Sequence, residues 1–199
     1  MFEITEYIGI IAFAMSGFFV AARNKLDLLG ALIATFLTAL GGGIMRDITV
    51  DKVPFTFSHN YPALIVVGVL AALILFKFHR RDSIENKPLF MLSDSIGLVS
   101  FSISGALVGI GAHFNLAGVV SMAFVTAVGG GIARDMIINE IPFILKTGFY
   151  GTIAILIGVL LYVLNMFHLI TFLSVSVIFF LFLSLRIVAY YHNWSIPLK

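Results

Sequence analysis

The chain contains no cysteine. Disulfides and thiolate metal sites are therefore excluded, and the sequence reports no redox compartment. It is also poor in charge. Asp, Glu, Lys and Arg make up 11% of its 199 residues, against about 25% in a soluble domain. His59, His79, His113, His168 and His192 are scattered, mostly at expected helix ends, with no H-E-x-x-H or comparable ligand spacing. There is no G-x-S-x-G nucleophile motif. The glycine runs lack the Lys-Ser/Thr of a phosphate loop, which argues against ATP-driven transport by this chain alone. No enzyme activity, cofactor or metal centre is expected. A formal net charge of +2 is too small to point to nucleic acid.

What is present is apolar: 60% of the residues are hydrophobic and the mean hydropathy is +1.09. This is the composition of an integral membrane protein. A hydrocarbon core of about 30 Å needs about 20 helical residues. Seven segments fit, at 4–22, 26–43, 61–78, 89–112, 116–131, 144–166 and 168–191. The first follows Glu3 and Glu6, not a basic stretch, and no clean cleavage site comes after it, so it reads as a retained span.

The chain is duplicated. Thr38-Ala-Leu-Gly-Gly-Gly-Ile-Met-Arg-Asp-Ile-Thr-Val-Asp-Lys-Val-Pro-Phe55 returns as 126–143, an offset of 88 residues, with 10 of 18 positions identical. The same offset aligns Glu6 with Asp94, Ser16 with Ser104, Gly17 with Gly105 and Asp27 with Asn115. Residues 1–81 then form one three-helix repeat and 89–167 a second, joined by a polar linker at 82–88. Residues 168–199 hold a seventh helix and the tail. Three spans is an odd number, so the second repeat enters the bilayer from the opposite face, an inverted repeat. The expected fold is all-α with seven transmembrane helices: two inverted three-helix bundles and one extra helix.

Loop charge sets the orientation. One face carries Arg46 and Lys52; the other carries Arg23, Lys25, Lys77, Arg80, Arg81, Lys87, Arg134, Lys146, Arg186 and Lys199. The positive-inside rule puts the second face in the cytoplasm, with the N-terminus outside and the C-terminus inside a cell inner membrane.

Each copy of the motif has two readings. Gly41, Gly42 and Gly43, with Gly129, Gly130 and Gly131, either let helices pack closely or break helices two and five, opening backbone towards a pore. Arg46-Asp47 and Arg134-Asp135 are either a snorkelling Arg beside a capping Asp, or matched polar collars that meter a cation path or hold a carboxylate. Glu6 and Asp94 either complement helix dipoles or pair with Arg46 and Arg134. Ser16, Ser104, Thr38, Thr126, Ser100 and Ser102 either bond back to their own helices or line the pore. Arg186 with Tyr190-Tyr191 reads as an interfacial anchor.

Duplicated Gly-Gly-Gly-x-x-Arg-Asp, each followed by Pro-Phe in a seven-span chain of this length, resembles the prokaryotic branch of the TRIC (trimeric intracellular cation) channels, also labelled putative glycine transporters. The resemblance covers essentially the whole chain. It implies a homotrimer with one pore per subunit, and conduction of potassium or other monovalent cations across the lipid bilayer. Gly41–Gly43 and Gly129–Gly131 would be the kinks, with Arg46 and Arg134 beside them. The Lys-Glu-Val segment of the animal members is missing here. Secondary transport of a small amino acid such as glycine is the alternative.

Overall fold

Two asparagine-like caps start the two central helices. Asp27 accepts a hydrogen bond from Gly30 N at 2.7 Å, and Asn115 accepts one from Gly118 N at 2.9 Å, each filling an orphan donor of the first turn. The helices they open are α2 (Leu28–Thr49) and α6 (Leu116–Ile137). Their bounds differ by the same 88 residues as the sequence repeat. A computed structural model describes residues 2–78, 83–146 and 149–194. Besides α2 and α6 it contains α1 (Phe2–Arg23), α3 (Phe55–Ser58), α4 (Tyr61–Leu75), α5 (Ser83–Gly111), α7 (Phe143–Lys146), α8 (Gly151–Met166) and α9 (Phe172–Tyr191). No strand occurs among the described residues. His79, Arg80, Arg81, Asp82 and Lys199, used above for loop and linker, lie outside them.

Among the described residues, five helices carry an apolar stretch long enough to cross a membrane: α1, α2, the 87–111 part of α5, α6 and α9. The apolar α4 and α8 have 15 and 16 residues, only about 22–24 Å at 1.5 Å per residue. Each is preceded by a four-residue helix, α3 or α7. The sixth expected segment, 144–166, is thus divided between α7 and α8.

α1 and α5 form the central pair and run antiparallel. Ser104 bonds Glu6 near one end and Ser16 bonds Asp94 near the other. Phe13 and Phe101 stack between them with ring centroids 5.2 Å apart. Each ring lies over the other half's glycine: a Cβ on Gly97 would strike Phe13, and one on Gly9 would sit 3.3 Å from Phe101.

Three expectations need correction. The glycines do not break helices two and five, because α2 and α6 run on through them for a further turn and more. Three glycines cost a helix about 3 kcal/mol against alanine, and here close packing offsets that cost. A Cβ on Gly42 would run into the carbonyl oxygen of Thr126, and one on Gly130 would lie 2.5 Å from the Leu37 oxygen and 2.6 Å from that of Thr38. These glycines are where α2 and α6 cross, backbone on backbone. Second, the fourth helix begins before residue 89: α5 starts at Ser83, so the polar linker is helical over 83–88. Third, Arg186 is not an interfacial anchor. It is 1% exposed, inside apolar α9.

Candidate functional site

The longer α2 and α6 carry Arg46-Asp47 and Arg134-Asp135 inside their last turns. The aspartates therefore do not cap those helices. Each reaches forward instead: Asp47 Oδ2 accepts from Phe55 N at 2.8 Å, and Asp135 Oδ2 from Phe143 N at 2.7 Å. They tie down the first residues of α3 and α7. Their other oxygens accept from the neighbouring arginines at 2.8 Å.

At the first cluster Arg46 is fully buried. Its Nη1 donates to Glu6 Oε2 at 2.6 Å and to Ser104 Oγ at 2.6 Å, and Ser104 Oγ donates to Glu6 Oε2 at 2.7 Å. The guanidinium lies 4.9 Å from the centre of the Phe2 ring. Gly43 leaves the space for this ion pair, since a Cβ there would sit 3.3 Å from Glu6 Oε1. A buried arginine is tolerated at such depth because two carboxylates answer its charge.

The second cluster repeats this plan with one difference. Arg134, 2% exposed, pairs with Asp135. Its Nη1 donates to Thr38 Oγ1 at 3.3 Å. Ser16 Oγ donates to Asp94 Oδ1 at 3.1 Å, as Ser104 does to Glu6. Asp94, one methylene shorter than glutamate, makes no ion pair with Arg134 among the described residues; its hydrogen-bonding neighbours are Ser16 and Tyr150. Of the two readings of these acids, Glu6 takes the ion pair with Arg46, whereas Asp94 feels the Arg134 charge without touching it. A cavity of about 10 Å³ beside Asp94, Thr38, Arg134, Asp135 and Tyr150 has room for about one water centre.

The hydroxyls divide. Thr126 and Ser102 donate to the carbonyls of Met122 and Leu98, four residues back. Thr38 does so to Ala34 and also accepts from Arg134. Ser16 and Ser104 belong to the charged clusters. Arg186 and Tyr150 were not expected there. The Arg186 guanidinium lies 4.8 Å from the centre of the Tyr150 ring, and its charge acts on Asp94. The signal for Arg186 was its apolar flanks, Ser184-Leu185 before it and Ile187-Val188-Ala189 after it, since an arginine within an apolar span is a functional candidate by default.

Two vestibules lead to the clusters. One, of about 370 Å³, is lined by residues that include Phe2, Arg46, Asp47, Lys52, Val108 and Gly111. The other, of about 310 Å³, has Phe90, Arg134, Asp135, Glu140, Val20 and Arg23 in the corresponding places. All nine residues lining the second stand 88 positions from a residue lining the first. The vestibules lie at opposite ends of α1, because Phe2 lines one and Arg23 the other. Between them stand two buried charged clusters and the glycine crossing. In such a place carboxylates favour a cation and arginines disfavour one.

The family model described as Glycine transporter matches this chain twice, over residues 3–80 and 91–166. A membrane protein of Bacillus subtilis (strain 168), UPF0126 membrane protein YvgT, is 34% identical over 98% of this chain and 95% of its own length. Among solved structures, one described as giving the structural basis for conductance through TRIC cation channels is 34% identical, with a TM-score of 0.87 over 100% of this chain and 97% of that one. The TRIC trimeric intracellular cation channel orthologue from Rhodobacter sphaeroides is 25% identical, with a TM-score of 0.87 over 97% of this chain and 98% of its own. Helices, clusters and these likenesses agree: the chain is a multi-pass membrane protein of the prokaryotic TRIC family, the family whose model is described as Glycine transporter.

Proposed function

We propose that this protein is a potassium-permeable channel for monovalent cations, with one pore in each chain. The observation that carries the reading is the pair of residue-matched vestibules, each ending on a buried Arg-carboxylate cluster. A conduit needs access from two sides and a controlled middle, and a twofold-related pair of half-pores supplies both. The likeness to solved TRIC cation channels supports cation conduction. The gate lies at the crossing of α2 and α6, where the glycine contact holds the Arg46 and Arg134 clusters together. The protein is a conduit and not a catalyst.

The transmembrane plan has seven spans in two inverted halves: α1, α2 and α3 with α4, then α5, α6 and α7 with α8, with α9 added. The burial of Arg46, Arg134 and Arg186 sharpens the loop-charge argument. Lys52 then stands alone on one face, against eight Lys and Arg on the other. That assignment puts the Lys52 vestibule outside and the Glu140 vestibule in the cytoplasm of a cell inner membrane. The working unit is a homotrimer, as the name of the Rhodobacter sphaeroides relative suggests.

Proteoliposomes loaded with potassium are expected to release it down its gradient faster than protein-free liposomes, and to take up no radiolabelled glycine. Saturable, gradient-driven glycine uptake with little potassium leak would overturn the channel reading. Arg46 and Arg134 would then be carboxylate ligands.

A further inference from the structure

The two clusters are matched in position but not in charge. The first sets two carboxylates, Glu6 and Asp47, against one guanidinium, Arg46. The second sets Asp94 and Asp135 against Arg134, and α9 adds Arg186. At formal charge the first cluster is one unit more negative than the second. Arg186 has no counterpart at the first cluster, because α9 lies outside the duplication.

The placement of Arg186 is specific. It is 1% exposed, and its guanidinium rests on the face of Tyr150 at 4.8 Å and lies 6.0 Å from the Tyr190 ring. Its Nε has no hydrogen-bond partner. Tyr150 and Asp94 both line the cavity beside Arg134. A cation held in an apolar helix without a full set of partners is costly, and cation–π contact offsets only part of that cost.

We infer that Arg186 makes the second cluster the higher of the two barriers to a cation, so that each pore passes current more easily in one direction. This inference rests on the conduction reading above. A cation moving from the Lys52 vestibule crosses most of the field before it meets the higher barrier. Its rate therefore rises steeply with voltage. A cation moving the other way meets that barrier first, and its rate rises slowly. Arg186 touches no permeating ion in this account; it acts as a positioning residue, through the charge that it adds beside Asp94 and Arg134.

The test is single-channel recording from purified protein in symmetric potassium chloride, comparing current at equal and opposite voltages. Each channel has a definite direction in the bilayer, so the size of the asymmetry is readable whichever way it inserts. The wild type is expected to rectify. Arg186→Gln is expected to change the ratio of the two currents by at least about twofold towards symmetry, which corresponds to a barrier change of about 0.4 kcal/mol. Arg186→Lys keeps the charge and is expected to keep the ratio, an outcome that a merely structural role for the arginine does not give. Asp94→Asn removes a negative charge from the same cluster and is expected to increase the asymmetry; it decides the matter if Arg186→Gln does not fold. A conducting wild type without rectification, or an Arg186→Gln channel with the wild-type ratio, overturns this inference alone. So does an Asp94→Asn channel with the wild-type ratio. A silent wild type overturns the channel reading and this inference with it.

Discussion

Gly42→Val is expected to destabilise the protein by about 3 kcal/mol, the upper part of the usual range for overpacking a close contact. The reason is geometric. The first added carbon would overlap the carbonyl oxygen of Thr126, which is backbone and cannot rotate away. α2 and α6 would have to separate, and the Arg134–Thr38 contact at 3.3 Å would open with them. Thermal melting of purified protein in detergent measures the effect. Gly68→Ala is the control, because a Cβ there meets nothing within 4 Å; it should melt at or slightly above the wild-type temperature, since alanine is the better helix former. A Gly42→Val protein that melts like the wild type would show that the helices do not cross at this residue.

Arg46→Ala is expected to cost about 3–5 kcal/mol, because it strands buried carboxylates without their cation. Glu6 is 3% exposed and Asp47 6% exposed, and both lose their arginine partner. Ser104 would remain as the donor to Glu6. The double variant Arg46→Ala with Glu6→Gln removes one charge of each sign and is expected to recover much of the lost stability. Melting temperatures of the single and double variants check this, as the coupling of a double-mutant cycle. Losses that simply add would mean that Glu6 and Arg46 do not depend on each other.

The duplication could be read from the sequence because both copies keep their glycines, Arg-Asp and Pro-Phe. The same offset aligns Glu6 with Asp94 and Ser16 with Ser104; that each acid bonds the serine of the other half across α1 and α5 is visible only in the structure. Less visible was the effect of side-chain length. Glutamate reaches Arg46, whereas the shorter Asp94 does not bond Arg134, and alignment alone treats the two acids as equivalent. Propensity misled at the glycines, because the cost of glycine in an isolated helix says nothing of a second backbone close by. α3 and α7 have four residues each, too few for any hydrophobic period to show. Arg186 reads as an anchor in sequence because Tyr190-Tyr191 stand beside it near the helix end, while the Tyr150 ring that it rests on comes from 36 positions earlier.

The absence of cysteine allows a direct test of whether two matched vestibules open a single chain from opposite faces. Single cysteines are placed at Lys52 and at Glu140, which occupy corresponding sites in the two vestibules. Potassium current is then recorded while a bulky, membrane-impermeant methanethiosulfonate reagent is added to one side at a time. The Lys52→Cys channel is expected to be blocked from one side only and the Glu140→Cys channel from the other side only, with the cysteine-free channel unaffected. Block of both variants from the same side, or modification of both without any change in current, would contradict that arrangement.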